Sequence, residues 1–429
     1  MDGFEQKQRE FTFIDLFAGA GGLSEGFTAC GFRPIAHVEM NPHACDTLRT
    51  RACYWWLREN NKLFIYKDYL NKKLTRDEMY SAVPQQVLDS VICEEMSDST
   101  MGGILKQIDA LIESSRSGKP DLIIGGPPCQ AYSIVGRGRK DMSDDPRNYL
   151  YRQYLKVLDR YKPKMFVFEN VPGLKTAGGG KYLKSIQTSF KERGYNLDCQ
   201  IQDAADYGVL QTRKRIILVG WREDTGFQYP ALDEEKEETT DVVWDILKDL
   251  PALQPGEQSG KYSETPMSDY LRRTGIRRDG DILTWHVARP HIERDRKIYR
   301  CAINAWFDEG RHLRYSELPD ELKTHQNTTA FTDRFKVVEG NQHTCHTMVA
   351  HISKDGHYYI HPDIKQSRSI TVREAARVQS FPDDFFFEGP RTAAFIQIGN
   401  AVPPLLAKAI AKAVIKEFYR GEFNDGHDD

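Results

Sequence analysis

A cysteine that follows two prolines is a candidate for chemistry in this 429-residue chain. Cys129 ends the motif DLIIGGPPC within the stretch DLIIGGPPCQAYS, residues 121–133. A thiolate is a strong nucleophile, although only a few per cent of a thiol with a pKa of ~8.5 is ionised at neutral pH. The prolines fix φ and lack an amide hydrogen, so the turn is stiff. By itself the stretch fits a nucleophile and a buried structural cysteine equally well.

A carboxylate ends the next strand-like run, FVFENV, at Glu169. Because parallel strands end at the same edge of a sheet, Glu169 and Asn170 are expected on the same rim as Cys129. A buried carboxylate is costly unless it has a partner or a task. A thiol and a carboxylate on one rim suggest covalent addition assisted by an acid. The alternative is that Glu169 only pairs with a structural arginine.

Two arginines lie in QTRKR, residues 211–215, just before the strand-like run RIILVGW. Strand alternation places Arg213 and Arg215 on one side and Lys214 on the other. Two guanidinium groups at this position could hold a carbonyl, a phosphate or Glu169. The cluster gains its meaning from this position beside the carboxylate.

A glycine-rich turn, DLFAGAGGLSEGF (15–27), joins a strand to a helix near the N-terminus. In such a turn the backbone can approach a ligand closely and helix amides can face it. Glu39 ends the next strand, twenty residues after Gly19, where a carboxylate can bind ribose hydroxyls. These features predict an adenosine-type cofactor, and NAD would fit. A tight turn without a ligand is the alternative.

Strand-like runs that alternate with helical runs must position these side chains. The alternation predicts an α/β protein with a parallel, doubly wound sheet. Asn41 is the expected N-cap of the helix after the second strand, and residues 71–118 are expected to be mainly helical. The predicted strands span residues 11–17, 33–40, 63–70, 121–126, 165–171, 195–204 and 215–221.

Two motifs near the C-terminus read as structural. REAARVQSFPDDF, residues 373–385, predicts a helix in which Glu374 and Arg377 form an i, i+3 salt bridge. In QIGNAVPP, residues 397–404, the Gly-Asn pair suits a turn near the cofactor and the two prolines suit the start of the last helix.

Composition narrows the class of protein. With 40% apolar and 28% charged residues the chain resembles an ordinary globular protein long enough for two domains. We find no apolar run of about 18 residues and no signal-peptide core, and therefore expect no membrane span and a cytoplasmic location. The formal charge of −3 does not favour nucleic acid, although a local basic patch still could bind it. The eight cysteines form no CxxC pair, so neither a metal site nor a disulfide framework is expected.

In their order and spacing, the motifs resemble those of the DNA (cytosine-5) methyltransferase family of the bacterial type, either from restriction-modification systems or standing alone. The resemblance covers somewhat over half of the chain. It implies a Rossmann-like sheet and the cofactor S-adenosyl-L-methionine, which composition could not distinguish from NAD. The matching blocks are DLFAGAGG, GGPPCQAYS, FENV, QTRKR, REAARVQSFP and QIGNAVPP.

The resemblance also implies a cofactor site. Glu39 would bind the ribose hydroxyls, Met40 would pack on the adenine, and Asp68 would lie near the adenine amino group. The glycine that usually precedes this acid in the family is Lys67 here, which weakens the assignment of Asp68. The other implied cofactor-binding residues are Phe17, Ala20, Gly22 and Leu23 near the methionine part, together with Pro127, Asn400 and Val402.

The mechanism implied by the resemblance makes Cys129 add to C6 of a cytosine while Glu169 protonates or hydrogen-bonds the N3 edge. C5 then accepts the methyl group, after which loss of the C5 proton and of Cys129 restores the ring. Arg215, with Arg213, would orient the base and hold the cysteine loop. The base must leave the duplex stack, and the segment 133–147 would close over it.

The resemblance divides the chain into three parts. Residues 1–221 would form the catalytic domain that binds S-adenosyl-L-methionine, residues 222–388 a smaller, irregular target-recognition domain, and residues 389–429 a segment that returns to the catalytic domain. Residues 222–366 match no family block, and helix–strand alternation is lost from the loop 251–266 to about residue 366. Basic residues outnumber acidic ones from Arg272 to Arg314. Such residues would meet phosphates and base edges of DNA.

The expected partner is double-stranded DNA, bound by a monomer in the cytoplasm at the bacterial nucleoid. A cognate restriction endonuclease, acting separately, would make the chain the protective member of a restriction-modification system. One alternative is a tRNA cytosine-5 methyltransferase of the same superfamily, which largely lacks the segment between QTRKR and REAAR. A second alternative is a non-catalytic DNA-binding regulator, which need not keep both Cys129 and Glu169.

Overall fold

A seven-stranded sheet with the order β3-β2-β1-β4-β5-β7-β6 forms the centre of the computed structural model. The model describes residues 10–115, 118–127, 150–323 and 332–424. The strands are β1 Thr12–Leu16, β2 Arg33–Glu39, β3 Val91–Cys93, β4 Leu122–Gly125, β5 Met165–Asn170, β6 Tyr195–Asp203 and β7 Lys214–Arg222.

The expected Rossmann-like α/β class is confirmed, but the sheet is mixed rather than wholly parallel. Strands β1 to β5 pair in parallel, whereas β7 runs antiparallel to both β5 and β6. Only residues 204–213 connect β6 to β7, and a parallel crossover needs a longer connection that usually includes a helix. The last two strands therefore form an antiparallel pair on one lateral side of the sheet.

Helices cover both faces of the sheet. In β4 the side chain of Ile123 packs in one apolar cluster with α6, α7 and α8, while Leu122 and Ile124 pack in another with α1 and α13. This alternation is the period of two expected for a strand buried on both sides. The helices are α1 Gly22–Ala29, α2 Pro42–Glu59, α3 Leu63–Leu70, α4 Arg76–Ser81, α5 Gln85–Asp89, α6 Met101–Ser115, α7 Tyr151–Tyr161, α8 Lys181–Lys191, α9 Asp269–Thr274, α10 Glu293–Glu309, α11 Val372–Val378, α12 Arg391–Asn400 and α13 Pro404–Asn424.

The prediction of a strand over residues 63–70 is wrong, because this segment is helix α3. Its aromatic and branched residues suggested a strand, but Leu63, Tyr66 and Leu70 have helical spacing and pack in one cluster against α2. The third strand of the sheet is instead β3, three residues within the segment predicted to be mainly helical. The expected N-cap Asn41 is confirmed, since its side chain accepts hydrogen bonds from the amides of His43 and Ala44.

Residues 223–371 contribute no strand to the central sheet within their described part. They contain α9, α10, short 3-10 turns and isolated β-bridges. A third apolar cluster joins this region to α11 and α12. The loss of helix–strand alternation expected from the sequence is therefore present in the structure.

The C-terminal residues form two buried helices. Helix α13 begins at Pro404, as predicted, and its apolar face packs against α1. Gly399 lies inside α12 rather than in the expected turn, and an added Cβ there would be 2.3 Å from the amide nitrogen of Ala350. The span Arg391–Gly421 is long and apolar enough to cross a membrane by composition, but 72% of its most apolar window is buried within the protein. This span is core.

The predicted salt bridge between Glu374 and Arg377 is also wrong. Glu374 binds Arg368, with 2.7 Å between Oε1 and Nη2, whereas Arg377 binds the carboxylates of Asp249 and Asp383. All these side chains are fully or almost fully buried. A buried charge needs several hydrogen bonds, which one neighbour on the same helix cannot supply.

Candidate active site

The carboxyl ends of β1, β2, β4 and β5 meet at one edge of the sheet. From β1 the chain turns to β2 on one side, and it later returns to place β4 on the other side of β1. Open α/β sheets bind ligands in the crevice at such a switch point. The segments at this edge are residues 17–22, 39–41, 125–127 and 169–171.

The turn after β1 needs glycine. Gly19 and Gly21 have φ values of 56° and 84°, and Gly21 precedes the first residue of α1. A Cβ added to Gly22 would be 2.2 Å from the carbonyl oxygen of Val402, so the C-terminal segment lies against this turn. Phe17, with a φ of 57°, also adopts the left-handed conformation that glycine favours. The turn thus brings together two segments that the sequence separates by nearly the whole chain.

Glu39, at the carboxyl end of β2, lies against the turn that follows β1. One carboxylate oxygen accepts a hydrogen bond from the amide of Gly19 and the other from the amide of Asn41, each at 2.8 Å. Each carboxylate oxygen has a second lone pair, so Glu39 is held in place and can still accept from two hydroxyls. A Cβ on Gly19 would meet nothing within 4 Å, so the backbone there is open. Met40, the residue after Glu39, is 60% exposed. An open backbone, a fixed acceptor and an exposed apolar side chain fit a nucleoside.

The other predicted cofactor residues take different positions. Ala20 and Leu23 are buried in apolar clusters, and Val402 shares the cluster of Leu23. Asn400 is exposed at the end of α12. Ala20, Leu23 and Val402 thus form apolar packing behind the turn, and Glu39 contacts the turn through the amide of Gly19.

Asp68, assigned by the resemblance to the adenine amino group, does not lie in a strand as predicted for residues 63–70. It is on helix α3, where its carboxylate pairs with Lys73 at 3.0 Å. The acids that follow the true third strand are Glu94 and Glu95, and the Glu94 amide donates to the carbonyl of Glu39 at 2.9 Å. The sequence signal for β3 is only three residues long, which is why this position was missed.

A buried carboxylate that the sequence did not single out lies beneath the glycine turn. Asp15, in β1, is almost fully buried and accepts a hydrogen bond from the hydroxyl of Ser24 in α1. Burial raises the pKa of Asp15 from 3.8 to about 8, with a smaller contribution from the charge of Glu39. A protonated Asp15 links the strand to the helix without adding a second negative charge near Glu39.

An ion pair lies at the carboxyl end of β5, where Glu169 meets Arg215 of β7. The Nε of Arg215 is 2.7 Å from Oε1 of Glu169, and both side chains keep 13% of their surface exposed. A Cβ added to Gly126 would lie 2.7 Å from Oε2 of Glu169. The glycine therefore leaves room for the carboxylate, and Arg215 fixes its orientation.

Asn170 connects this ion pair to the proline turn. Its side-chain amide donates to the carbonyl of Pro127 at 3.1 Å, and it is buried. Pro127 is also buried and ends the described part of the turn. Cys129 lies outside the described residues, as does the segment 133–147. The structure thus brings Glu169 and Arg215 together beside Gly126 and Pro127, which precede Pro128 and Cys129 in the sequence.

Arg213 has a different role from the predicted one. It is fully buried, and its guanidinium donates to the carbonyls of Met348, Gly399 and Ala401 at 2.6 to 3.1 Å. Burial and the nearby charge of Arg215 lower its pKa well below the ordinary value. With these bonds made, Arg213 cannot orient a base. Its hydrogen bonds instead connect the C-terminal segment and Met348 to the start of β7, the strand that carries Arg215.

Two glutamines that the sequence did not assign complete this connection. Gln211 donates to the side chain of Gln379 at 2.8 Å and accepts from the amide of Met348 at 2.6 Å. Gln379 in turn donates to the carbonyl of Ile398 at 2.7 Å. Both are buried, and each lies in a family motif, QTRKR or REAARVQSFP, in which the sequence prediction assigns no role to the glutamine.

A family model for the C-5 cytosine-specific DNA methylases matches residues 11–78 and 102–416, which is most of the chain. The chain belongs to the C-5 cytosine-specific DNA methylase family. It is 44% identical over 436 residues to the type II methyltransferase M.Bpa9945I of Bacillus paralicheniformis, covering 94% of this chain and 98% of that protein. It is 32% identical to the type II methyltransferase M1.HphI of Haemophilus parahaemolyticus, covering 94% of this chain and 87% of that protein.

Solved structures of low sequence identity share the fold of this C-5 cytosine-specific DNA methylase. A candidate DNA modification methyltransferase from an E. coli prophage has a TM-score of 0.62 at 23% identity, covering 96% of this chain and 100% of that one. The Entamoeba histolytica methyltransferase EhMeth has a TM-score of 0.53 at 14% identity, covering 96% and 99%. Membership assigns this methylase to the enzyme class of DNA (cytosine-5) methyltransferases, a family that uses S-adenosyl-L-methionine.

Proposed function

We propose that this chain transfers a methyl group from S-adenosyl-L-methionine to C5 of one cytosine in a specific duplex DNA sequence. The observation that carries the proposal is the Glu169–Arg215 ion pair at the sheet edge, joined through Asn170 to the turn that precedes Cys129. Relatives named type II methyltransferases support a role as the protective enzyme of a restriction-modification system.

Glu39 holds the cofactor in this proposal. Its two fixed carboxylate oxygens would accept hydrogen bonds from the ribose hydroxyls. Met40 would cover the adenine, and the turn from Phe17 to Leu23 would surround the methionine part. Asn400 and Val402 close the site from the C-terminal segment, and Pro127 closes it from β4. Glu94 or Glu95 takes the place first assigned to Asp68. When bound, S-adenosyl-L-methionine supplies an electrophilic methyl group.

Cys129 begins the reaction by adding its thiolate to C6 of the cytosine, which breaks the C5–C6 double bond. Glu169 hydrogen-bonds or protonates N3, so charge does not build up on the ring and C5 becomes a nucleophilic enamine carbon; a proton given to N3 returns to Glu169 after methyl transfer. C5 accepts the methyl group, a base removes the C5 proton, and the thiolate leaves as the double bond re-forms. Arg215 orients the base and holds Glu169, while Arg213 positions this strand.

The target base must leave the duplex, because the ring faces are not reachable inside a stack. Residues 222–388 recognise the DNA sequence, residues 1–221 carry the chemistry, and residues 389–429 complete the cofactor site. The chain acts on DNA as a monomer, in the cytoplasm at the nucleoid, with any cognate endonuclease acting separately.

Labelled S-adenosyl-L-methionine tests the activity. Wild type, Cys129→Ser and a control on α10, the partly exposed Cys301→Ser, are incubated with genomic DNA or with tRNA. We expect label in DNA for wild type and the control, and none for Cys129→Ser. Label confined to tRNA supports the tRNA enzyme, and DNA binding without label supports the regulator. Undiminished DNA methylation by Cys129→Ser contradicts the mechanism.

A covalent trap tests the adduct separately. Bisulfite sequencing of the methylated DNA first identifies the target cytosine. A duplex with 5-fluorocytosine at that position cannot lose a C5 proton, so the thiolate cannot leave after methyl transfer. We expect a denaturation-resistant complex with wild type that is absent with Cys129→Ser, and failure to form it with wild type would disprove the covalent route.

A further inference from the structure

Three side chains outside the sheet edge converge in the region between β7 and α11. His312 follows α10, Glu339 lies 27 residues further on, and His346 follows 7 residues after that. The Nε2 of His312 and the Nδ1 of His346 are each 3.0 Å from Oε1 of Glu339, and Nδ1 is also 2.8 Å from Oε2. One donor atom from each residue lies within 4.8 Å of the other two. The three groups have the composition and spacing of a metal-ligand set.

The hydrogen bonds of His346 show that positive charge is needed at this point. Its Nε2 is 2.7 Å from the carbonyl oxygen of Tyr358, and because a carbonyl can only accept, Nε2 carries a hydrogen. A neutral imidazole would then direct the lone pair of Nδ1 at the carboxylate of Glu339. That contact is repulsive unless a cation, either a proton or a metal ion, lies between the two groups.

We propose that His312, Glu339 and His346 bind one divalent zinc-type metal ion. The ligand atoms are Nε2 of His312, a carboxylate oxygen of Glu339 and Nδ1 of His346, and a water completes four-coordination. Zinc bonds to these atoms are about 2.0 to 2.2 Å long, which places tetrahedral ligand atoms about 3.3 to 3.6 Å apart. The N–O contacts of 3.0 Å must open slightly, and atoms that now lie up to 4.8 Å apart must move closer. The carbonyl of Tyr358 supplies the outer hydrogen bond that metal-binding histidines commonly make.

The surroundings are suited to a fixed ion. The indole of Trp306 stacks on the ring of His312 with 4.9 Å between centroids, and the ring of Tyr359 stacks on His346 at 5.0 Å. The three ligand side chains keep 10 to 24% of their surface exposed. The aromatic walls restrict the imidazoles to one orientation, and the exposure leaves a path for entry.

The ion would stabilise the contact between this region and the catalytic strand. Next to His346, Cys345 exchanges two backbone hydrogen bonds with Leu210 and Thr212, at 3.1 and 3.0 Å. Two residues after His346, the carbonyl of Met348 accepts a hydrogen bond from Arg213. A metal bound at His346 would therefore hold the segment 345–348 against the strand that carries Arg215.

Metal content of the full-length protein, purified without a polyhistidine tag, tests this site. Wild type, His346→Ala, Glu339→Gln and the exposed control His351→Ala are loaded with Zn²⁺, dialysed and analysed for bound metal. We expect about one ion per chain in wild type and His351→Ala, and at least a tenfold weaker affinity in the other two. In Co²⁺-loaded wild type we expect the visible absorption of a four-coordinate ion and a change in Trp306 fluorescence.

Thermal unfolding separates metal loss from misfolding. Added Zn²⁺ should raise the Tm of wild type and His351→Ala, and a chelator should reverse the change, because an ion that binds only the folded state stabilises it. Glu339→Gln preserves the shape of the side chain and should fold without responding to Zn²⁺. Equal, substoichiometric metal in all four proteins would overturn the proposal, as would a Zn²⁺ response that survives in Glu339→Gln. Either result would leave a proton as the cation between His346 and Glu339.

Discussion

The charged groups at the sheet edge and those around α11 are arranged in opposite ways. At the edge, Glu169 has one ion-pair partner among the described residues, Arg215, and both remain partly exposed. Around α11, Arg377 is fully buried and makes five hydrogen bonds, to two aspartates and a backbone carbonyl. The first arrangement leaves hydrogen-bonding capacity for a ligand, and the second uses all of it.

The difference shows how to separate chemistry from architecture among charged residues of one protein. A group with unused, accessible hydrogen-bonding capacity at the carboxyl edge of a sheet can act on a substrate. A buried group whose hydrogen bonds all go to interior partners fixes the fold, and its removal leaves those partners buried without compensation. Arg213 and Arg215, two residues apart in one motif, fall on opposite sides of this division.

Breaking the interior cluster should have the largest effect on stability. Arg377→Met leaves Asp249 and Asp383 short of a buried partner, and we expect the free energy of unfolding to fall by about 3 to 5 kcal/mol. Arg377→Lys keeps the charge but not the forked bonds, so its loss should be smaller. Urea denaturation measures both, and a Met variant as stable as wild type would contradict the structural role.

Removing the charge at the edge should affect rate and not stability. Glu169→Gln keeps the shape and an acceptor for Arg215, and we expect kcat for DNA methylation to fall by about 10² to 10⁴. The Tm should remain close to that of wild type. The exposed control Glu192→Gln should be fully active, and a large loss of stability in Glu169→Gln would place this pair with the interior cluster.

Crowding the same carboxylate should have a smaller effect. In Gly126→Ala the new Cβ would be 2.7 Å from Oε2 of Glu169 and must displace it. We expect kcat to fall by about 10- to 100-fold, as small displacements of a catalytic group can cost this much. Gly226→Ala is the matched control, since a Cβ there meets nothing within 4 Å. Equal rates for the two variants would show that Glu169 need not hold its position.

Asp15 should give a pH dependence of stability that the asparagine variant lacks. Its pKa is about 8 in the folded protein, above its ordinary value of 3.8, so between these values the folded state binds the extra proton. The stabilisation is complete below the lower value and is lost as the pH rises through about 8. Relative to wild type, Asp15→Asn should gain about 1.4 kcal/mol for each pH unit across this window. Urea denaturation measures the difference in unfolding free energy between Asp15→Asn and wild type, and an equal difference at pH 6 and pH 8 would refute the pKa shift.

Cofactor affinity should distinguish two acids that the sequence treated alike. Glu39→Gln loses charge-assisted hydrogen bonds to the ribose, and we expect the Kd for S-adenosyl-L-methionine to rise about tenfold. Asp68→Asn affects only an exposed pair with Lys73 and should leave that Kd unchanged. Calorimetric titration measures both, and a similar rise for Asp68→Asn would restore its sequence-based assignment.

Several features of the fold were predictable because they depend on neighbouring residues. Asn41 caps α2, and Pro404 begins α13, since each local motif has one favourable geometry. The segment 63–70 was not predictable in this way, because its aromatic and branched residues suit a strand while their spacing suits a helix. Packing against α2 decided between the two.

The sequence by itself determined which chemistry this protein carries and at which edge of the sheet. The order of its glycine turn and carboxylate motifs places Glu39 and Glu169 at one rim, because strand ends in a parallel sheet meet there, and the antiparallel β7 begins beside them with Arg215. Only the tertiary structure decided how each charge is used. Arg213 is buried and hydrogen-bonded to backbone carbonyls of distant segments. Glu374 and Arg377 pair with different residues, and His312 and His346 both contact Glu339. Such pairings depend on which distant segments exclude water together, and local sequence periodicity does not encode that.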